Sequence, residues 1–285
     1  MTNTCPCCGK STNNRVKNIN GYDYFQCANC KLIFIDSQLI DKIDNGFNIV
    51  KYDYTYWENE LPSAKDRSYG AALARMAEVF YYCRIPIKKF LDIGTGAGYF
   101  LDAVSKYLPN NANLFYGVEK FPPPSEFQTK SPNYIIGDVS DINSKFDAGM
   151  CMEVLEHLTP KMVRSLLEGL AKISNPGALY IFNTGLQEYV LNENINYLDP
   201  VKRGHILSYS IKAINLISKE FEFSVLPIRG KTWAFVLEYK SRTSNDENIE
   251  SRIWSALEHN LSILSDKDMG SVLRILGLET SRAYK

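Results

Sequence analysis

Long hydrophobic runs are absent from this sequence, and so is an excess of charge of either sign. No apolar stretch approaches the about 20 residues that a membrane-spanning helix needs, and the N-terminal residues are polar and rich in cysteine. We therefore expect neither secretion nor membrane insertion. Lys plus Arg number 32, as do Asp plus Glu, so the formal net charge is zero. This balance argues against a protein whose whole surface binds nucleic acid or an anionic membrane.

Histidine is scarce, with three in 285 residues, and the seven cysteines are an odd number for a disulfide framework. Four cysteines instead form two pairs at the spacing of a metal site, namely Cys5 with Cys8 and Cys27 with Cys30. Each pair places two thiolates on one side of a tight turn, and two pairs complete a tetrahedron. We therefore expect residues 1–35 to form a ribbon that binds Zn²⁺. Free thiolates of this kind need a reducing compartment, which indicates a cytoplasmic protein.

The zinc site is expected to be structural and not catalytic, because four thiolates leave the metal no open coordination position. Cys7 could replace a ligand, but only Cys5 and Cys8 have the two-residue spacing. Between the two pairs, Asn20-Gly21 predicts a hairpin turn. The ribbon contains few basic residues for a nucleic-acid-binding module. This composition favours a role in docking a partner or covering a substrate.

The rest of the chain divides by composition into three parts. Residues 36–63 are polar and aromatic without clear periodicity, and we expect a connecting segment or a lid over a bound ligand. Residues 64–240 alternate between strand and helix patterns, which predicts a large α/β domain. Two amphipathic helices are expected to form a hairpin over 241–285. Their apolar faces suit packing on the main domain, dimerisation or docking to a biosynthetic partner.

The pattern from 64 to 240 predicts a doubly wound, Rossmann-like sheet. Buried strands that alternate with helices should build a seven-stranded, mostly parallel sheet with one antiparallel edge strand. Strands are predicted over 89–93, 114–119, 134–136, 148–152, 178–183, 223–228 and 233–239. Helices are predicted over 64–83, 99–108, 161–173, 211–219, 247–264 and 266–283.

A glycine-rich loop follows the first of these strands. Segment 90–98 (Phe-Leu-Asp-Ile-Gly-Thr-Gly-Ala-Gly) runs from a strand through glycines towards a helix. Glycine lets the backbone turn sharply and approach a ligand, and a helix N-terminus offers free N–H groups. The glycines occupy relative positions 1, 3 and 5, whereas the dinucleotide fingerprint has them at 1, 3 and 6. The glycine spacing and the acidic Asp92 beside the loop together favour a ligand with an amine or hydroxyls over a pyrophosphate.

Polar and acidic residues follow the next strands as well. Glu119 ends the second strand, where a carboxylate can accept both hydroxyls of a ribose, and Asp138 follows the third, where it can accept from an adenine amino group. Segment 146–158 (Phe-Asp-Ala-Gly-Met-Cys-Met-Glu-Val-Leu-Glu-His-Leu) runs off the fourth strand. Open α/β sheets bind ligands at the carboxyl ends of their parallel strands. We therefore expect these residues to meet at one site.

Taken in order, these motifs resemble those of class I S-adenosylmethionine (SAM)-dependent methyltransferases, and segment 146–158 is similar to ubiquinone-type O-methyltransferases. The resemblance covers residues 65–240 and implies SAM as cofactor and S-adenosylhomocysteine as product. By this resemblance, the methionine and ribose part of SAM would contact the glycine loop at Gly94, Thr95, Gly96 and Gly98. Asp92 would bind the amino group and Glu119 the ribose diol. The adenine would contact Asp138, Val139, Cys151, Met152 and Glu153. A four-cysteine ribbon before such a domain resembles an architecture that methylates sugars, nucleotide-linked sugars and other biosynthetic metabolites.

The resemblance also points to the residues that would carry the chemistry. Methyl transfer from a sulfonium needs a positioned nucleophile, and an oxygen or carbon acceptor also needs a general base. His205 lies between the fifth strand and the following helix, where relatives have an active-site histidine, so we expect it to be the base or to orient the acceptor. Tyr209 and His157 are expected to assist. The expected acceptor is a small molecule, methylated on oxygen more readily than on carbon or nitrogen.

Two other classes of function stay open from the sequence. A nucleic-acid or protein methyltransferase is one, although enzymes that methylate base amines commonly have Asn-Pro-Pro-Tyr or Asp-Pro-Pro-Tyr after the fourth strand, where residues 151–154 read Cys-Met-Glu-Val. A non-catalytic scaffold with a SAM-binding fold is the other. The set of Asp92, Glu119 and Asp138 argues against it, because a scaffold does not need three carboxylates directed at a ligand. Because the net charge is zero and residues 151–154 lack the base-amine motif, nucleic acid is not an expected partner.

Overall fold

The N-terminal residues form small β-structures in the computed structural model, which describes residues 3–241 and 248–275. The strands are β1 (Asn3–Thr4), β2 (Ser11–Thr12), β3 (Arg15–Ile19), β4 (Tyr22–Gln26) and β5 (Ile33–Ile35). β1 pairs with β2, and β4 pairs with both β3 and β5, all antiparallel. The β3–β4 hairpin turns at Asn20-Gly21, both with positive φ, as the dipeptide predicts.

Three helices follow, namely α1 (Ser37–Asp44), α2 (Tyr54–Tyr69) and α3 (Ala71–Tyr82). Segment 36–63 therefore contains α1 and the start of α2. The single helix predicted over 64–83 is wrong, because α2 ends before Gly70 and α3 begins after it. Periodicity did not reveal α2 because Trp57 is the one buried residue of this helix, so the helix has no apolar stripe. Its start is instead fixed by Asp53, whose carboxylate accepts from the amide of Tyr56.

Alternating strands and helices build the α/β domain. Its strands are β6 (Phe90–Ile93), β7 (Phe115–Glu119), β8 (Tyr134–Ile136), β9 (Phe146–Met152), β10 (Ser174–Asn183), β11 (Leu207–Ser208), β12 (Phe223–Pro227) and β13 (Ala234–Tyr239). Its helices are α4 (Tyr99–Tyr107), α5 (Pro160–Ile173), α6 (Gln187–Asn192) and α7 (Ile211–Ser218). Apart from β11, these strands agree in place with the seven predicted from the sequence.

The central sheet has the order β12-β13-β10-β9-β6-β7-β8. Neighbours from β10 to β8 are parallel, and β13 is antiparallel to both β10 and β12. The predicted α/β class and the mostly parallel sheet are thereby confirmed. From β6 the chain first builds outwards to β8 and then returns to place β9 on the other side of β6. This change of direction opens a crevice at the carboxyl ends of β6 and β9, where such sheets bind ligands.

The ribbon shares both a sheet and a core with the α/β domain. β11 pairs with β5, which gives a second sheet in the order β11-β5-β4-β3. One hydrophobic cluster includes Cys5 and Tyr24 from the ribbon together with Leu167 of α5 and Ile214 of α7. The ribbon is therefore packed as part of the larger unit, although its sequence reads as a separate module.

The C-terminal part packs against the main domain through buried polar contacts. The helix predicted over 247–264 is wrong, because a 3-10 helix over Ile249–Ser255 precedes the short α8 (Glu258–Ile263). Here Arg252 enters the core and pairs with Glu238 of β13 through two bonds of 2.9 and 3.0 Å, a tertiary contact that periodicity does not show. α9 (Lys267–Ile275) follows, and the rest of the helix predicted over 266–283 lies outside the described residues. Among the described helices, none combines the length and apolar character needed to cross a bilayer.

Candidate cofactor and acceptor site

The glycine loop between β6 and α4 has the backbone conformation that its sequence requires. Gly94, Gly96 and Gly98 all have positive φ, at 71°, 60° and 78°. A Cβ on Gly94 would come 2.5 Å from Cγ2 of Val154, so glycine is needed there both for conformation and for space. The loop therefore lies against the segment that follows β9. This confirms that the first and fourth strand ends meet.

Glu119 connects the end of β7 to this loop. Its Oε2 accepts from the amide of Gly96 at 2.8 Å, and its Oε1 accepts from the amide of Phe121 at 2.9 Å. The pKa of Glu119 is raised, because burial outweighs the backbone amide donors that act to lower it. Both oxygens retain further lone pairs for hydroxyl donors. The carboxylate is thus held rigidly where the sequence predicted a ribose.

Asp92 and Asp138 are in contrasting environments. Asp92 is buried at the end of β6, where Thr95 Oγ1 donates to its Oδ2 at 2.6 Å and burial raises its pKa to about 7. Asp138 follows β8, with Lys120 Nζ at 2.8 Å from its Oδ2. Burial works to raise the pKa of Asp138, but its bonds to Lys120 and Ser140 outweigh this and the pKa is lowered. Asp138 is therefore an ionised acceptor at the outer side of the crevice.

Aromatic side chains cover the glycine loop. We call this set, Tyr52, Tyr56, Trp57 and Phe121, the aromatic cap. Two ring carbons of Trp57 lie 3.7 and 3.9 Å from where a Cβ on Gly96 would be, and Tyr52 stacks on Phe121 with ring centroids 5.5 Å apart. The indole Nε1 of Trp57 is buried and has no hydrogen-bond partner within the described parts of the chain. A buried donor of this kind indicates a place for a ligand acceptor.

A second polar chamber begins at Glu153, directly after β9. This residue has a φ of 53°, a conformation that side chains other than glycine adopt rarely and that often marks functional sites. Its Oε1 accepts from Asn183 Nδ2 at 2.9 Å, and its Oε2 accepts from the hydroxyl of Tyr197 at 3.2 Å. Burial raises the pKa of Glu153 to about 8. Glu153 was predicted to line the adenine, but its side chain bonds to residues at and beyond the end of β10.

Glu156, His157 and His205 complete this chamber. Glu156 is fully buried, its Oε2 accepts from Thr184 Oγ1 at 2.8 Å, and its Oε1 lies 3.7 Å from His205 Nε2. The two imidazole rings meet edge to face with centroids 5.0 Å apart. Burial lowers the pKa of both histidines, that of His205 to about 3. The structure therefore brings together the two histidines that the sequence singled out.

Backbone carbonyls fix the hydrogen positions of both rings. Nδ1 of His205 lies 2.7 Å from the carbonyl oxygen of Tyr197, and Nδ1 of His157 lies 3.1 Å from that of Gly204. Because a carbonyl oxygen only accepts, each Nδ1 carries the hydrogen and each Nε2 keeps its lone pair. In each ring Nε2 is thus the nitrogen that can accept a proton or ligate a cation.

The same three side chains could hold a divalent cation. Glu156, His157 and His205 each offer one ligand atom, and these atoms lie within 4.8 Å of one another. Oε1 of Glu156 is buried without a hydrogen-bond partner among the described residues. Imidazole and carboxylate donors with second-shell backbone acceptors are typical of divalent transition-metal sites. The chamber is chemically suited either to proton transfer or to cation binding.

The remaining predicted residues lie outside the polar chamber or provide its walls. Tyr209 is fully buried and its hydroxyl donates to the carbonyl of Leu158 at 2.8 Å, so the structure gives it a backbone contact and no place beside His205. Cys151 is buried within β9, and Met152 ends that strand. Val139 is buried beside Asp138. His259 lies apart from the chamber, because its Nε2 is 3.4 Å from the carbonyl oxygen of Ile87, which precedes β6 at the amino ends of the parallel strands.

Sequence reasoning missed several members of the chamber. Asn183 ends β10 and Thr184 follows it, and a search for polar residues at the fifth strand end would have found both. Glu156 lies within the quoted segment 146–158 but was assigned no role. Tyr197 comes from a 3-10 turn in an irregular stretch, and no pattern in the sequence marks it.

The four predicted cysteine ligands converge in the ribbon. Cys5, Cys8, Cys27 and Cys30 place their sulfurs within 4.8 Å of one another, with Sγ distances of 3.5 Å for Cys5–Cys30 and for Cys8–Cys27. Zn–S bonds of about 2.3 Å at tetrahedral angles separate sulfurs by about 3.8 Å. All four cysteines are free of disulfides. The spacing thus fits a four-thiolate site.

Comparison with known proteins identifies the family. The profile of a family described as a methyltransferase domain matches residues 44–228, well over half of the chain. The chain belongs to this methyltransferase family. It is a SAM-dependent methyltransferase, and its Rossmann-like sheet and glycine loop are those of the class that the sequence resembles. No curated protein matches the chain.

Solved structures of related fold are distant in sequence. DesVI of Streptomyces venezuelae has 12% identity, with 67% of this chain and 100% of that chain covered and a TM-score of 0.48. The sugar N-methyltransferase KedS8 of a Streptoalloteichus species has 12% identity, with coverages of 61% and 88% and a TM-score of 0.47. The mitomycin 7-O-methyltransferase MmcR has 18% identity, with coverages of 70% and 65% and a TM-score of 0.45. The match spans slightly less than two thirds of the length of MmcR.

Proposed function

We propose that this methyltransferase transfers the methyl group of SAM to a hydroxyl of a small-molecule acceptor, such as a sugar, a nucleotide-linked sugar or another biosynthetic metabolite. The observation that carries the proposal is the buried chamber of Glu153, Glu156, His157 and His205 beside the glycine loop. An amine acceptor is already nucleophilic, whereas a hydroxyl needs a base. Two imidazoles with free Nε2 lone pairs supply one.

The residues of the crevice fit SAM. Glu119 can accept from the ribose hydroxyls, and the turn at Gly94 and Gly96 lets the backbone approach the methionine part. Asp92, near the end of β6, would accept from the amino group, and Asp138, which follows β8, would accept from the adenine. When bound, SAM supplies a methyl group on a sulfonium, which is transferred by in-line displacement. The indole N–H of Trp57, which has no acceptor among residues 3–241 and 248–275, gives this crevice one further donor.

His205 is the proposed base. Its lowered pKa keeps Nε2 unprotonated in the free chain, so a nearby negative charge has to stabilise the proton that it takes up. Its Nδ1–H bond to Tyr197 fixes the ring, and its Nε2 is directed to the side of Glu156. A proton taken from an acceptor hydroxyl by Nε2 gives an imidazolium 3.7 Å from the Glu156 carboxyl group. That carboxylate would stabilise the positive charge in this low-dielectric environment. His157 packs against the ring and limits its rotation.

The burial of the chamber supports a small acceptor. Glu156 is fully buried and His205 is 6% exposed, so these side chains are not presented on a surface that a long polymer could cover. A neutral chain also lacks the surplus of basic residues that long nucleic acids attract. Both facts argue against a polymeric acceptor.

We also propose that the four-cysteine cluster binds Zn²⁺. The number, type and spacing of the donors support this metal, and their burial in the shared core supports a structural role. Four thiolates would complete its coordination sphere. The metal would therefore act on stability and shape and take no part in methyl transfer.

Binding and turnover of the full chain test the proposal. Isothermal titration calorimetry with SAM and S-adenosylhomocysteine should give binding, and a screen with methyl-labelled SAM should find transfer to nucleotide sugars or phenolic metabolites. His205→Ala should keep cofactor binding and lower turnover by about tenfold or more. Binding without transfer to any acceptor would instead support the scaffold, and labelled RNA or protein would support the polymer methyltransferase. Turnover that depends on added Mg²⁺ or Mn²⁺ would assign the chamber to a cation in place of a base.

A further inference from the structure

We infer that the cysteine ribbon is a positioning element of the acceptor site, and that Tyr24 in the ribbon positions His205. This inference rests on the proposed role of His205. It gives the ribbon a function within the chain itself, with no need for a separate ligand or partner. Four sets of contacts support it.

The first contact is a direct hydrogen bond from the ribbon to the histidine. Tyr24 lies in the middle of β4 and is fully buried. Its hydroxyl donates to the backbone carbonyl of His205 at 2.6 Å. A buried tyrosine hydroxyl needs such an acceptor, and without the hydroxyl the carbonyl would lose this buried partner. The bond therefore fixes the main chain from which the imidazole projects.

The second contact is strand pairing on the C-terminal side of His205. β11 pairs with β5 of the ribbon, with Leu207 opposite Phe34. The amide of Ile35 donates to the carbonyl of Ile206 at 3.0 Å, while the amide of Ile206 donates to the carbonyl of Glu156 at 2.9 Å. Ile206 is thus bonded to the ribbon on one side and to the chamber on the other. The spacing between His205 and Glu156 depends on this connection.

The third contact lies on the N-terminal side of His205, at the tip of the β3–β4 hairpin. Asn20 Nδ2 donates to Asp199 Oδ1 at 3.2 Å, and the amide of His205 donates to the carbonyl of Asp199 at 3.1 Å. Lys17 Nζ donates to Asn196 Oδ1 at 3.4 Å, next to Tyr197. The hairpin therefore holds the segment whose Tyr197 carbonyl accepts from His205 Nδ1.

The fourth contact joins the four-cysteine cluster to the chain that follows His205. The hydroxyl of Ser210 donates to the carbonyl of Cys30, one of the four clustered cysteines. Residues 198–206 contain no helix or strand of their own. An irregular segment of this kind takes its position from the rigid structure against which it packs. Here that structure is the ribbon.

The inference is tested with Tyr24→Phe, which removes one hydroxyl and keeps the ring. The chain has three histidines, so single substitutions at His157, His205 and His259 assign their imidazole NMR signals. We expect Tyr24→Phe to shift or broaden the His205 signals and to leave those of His259 unchanged. Tyr180→Phe is the matched control, because Tyr180 is fully buried in β10 and its hydroxyl bonds to Ser174 at the far end of the sheet. It should leave the His205 signals unchanged.

Kinetics with the acceptor found in the screen provide the second measurement. Tyr24→Phe should lower kcat by about tenfold and leave the KM for SAM unchanged, because a small displacement of a base impairs the chemical step. Unchanged His205 signals and unchanged kcat in Tyr24→Phe would overturn the inference, and so would equal losses in Tyr180→Phe. If His205→Ala retains full turnover, the base assignment fails instead. The NMR comparison still decides whether the ribbon positions His205.

Discussion

The indole of Trp57 lies directly on Gly96, with two ring carbons 3.7 and 3.9 Å from the position of a Cβ on that glycine. The contact joins the start of α2 to the loop between β6 and α4. Trp57 is 6% exposed and its Nε1 is unpartnered within the described residues. The aromatic cap is therefore in contact with the crevice in which Glu119 and the glycine loop would hold SAM.

Trp57→Phe should weaken the binding of SAM and of S-adenosylhomocysteine by about tenfold, because it removes an N–H donor that is desolvated already and gains a partner only when the ligand binds. Titration calorimetry measures the change. Trp254→Phe is the matched control, because Trp254 is exposed on the C-terminal part and should leave the affinity unchanged. Equal affinities for Trp57→Phe and the native chain would mean that the N–H faces no ligand acceptor.

Glu119→Gln should have a larger effect on the same affinity. The substitution keeps the shape of the side chain but replaces one of two acceptor oxygens by an NH₂ group. One of the amides of Gly96 and Phe121 then loses its acceptor, and so does one ribose hydroxyl. We expect the dissociation constant for SAM to rise by about ten- to a hundredfold. Glu126→Gln, at an exposed position in the segment between β7 and β8, serves as control; a similar loss there would refute a specific role for Glu119.

The buried Asp92 should make stability depend on pH. Its pKa is raised from 3.8 to about 7 by burial, so the folded protein favours the protonated carboxyl while the unfolded chain ionises at lower pH. The contribution of Asp92 to the free energy of unfolding is therefore highest below pH 4 and decreases as pH rises towards 7. Asp92→Asn cannot titrate, so it should gain stability relative to the native chain over this window, by up to about 4 kcal/mol. Urea unfolding of both proteins at pH 5 and pH 8 measures the difference, and a constant difference would contradict the prediction.

Local sequence was sufficient for the sheet and for the meeting of the glycine loop with Glu119 and with the segment after β9. Each strand of the sheet is a short apolar run, and the residues at successive strand ends meet because parallel strands place their carboxyl ends at one edge. The positive φ of Gly94 and Gly96 follows from the glycines themselves. Each strand and the glycine turn follow from local patterns, and the meeting of their ends follows from the parallel pairing of those strands, such as Ile93 with Cys151, which is why patterns of spacing reveal them.

Contacts between distant segments could not be predicted in this way. Tyr24 reaches His205 across 181 residues, and Arg252 enters the core because Glu238 is there, not because of helical periodicity. The strand β11 is two residues long and exists through its pairing with the ribbon. The side chain of Glu153 lies beside Asn183 and Tyr197 because both offer it donors. In each case the position is set by a partner that the local sequence does not contain.

The ribbon provides a last prediction, which separates two neighbouring cysteines. Cys8 Sγ lies 3.5 Å from Cys27 Sγ within the cluster, whereas Cys7 Sγ lies 3.7 Å from the carbonyl of Ala213 on α7 and outside the four clustered sulfurs. Cys8→Ser should therefore lose bound zinc and lower the thermal unfolding temperature, because the metal stabilises a module that shares its core with the catalytic domain. Cys7→Ser should retain one zinc per chain. Metal analysis of the purified proteins measures both, and zinc retained by Cys8→Ser but lost from Cys7→Ser would exchange the two assignments.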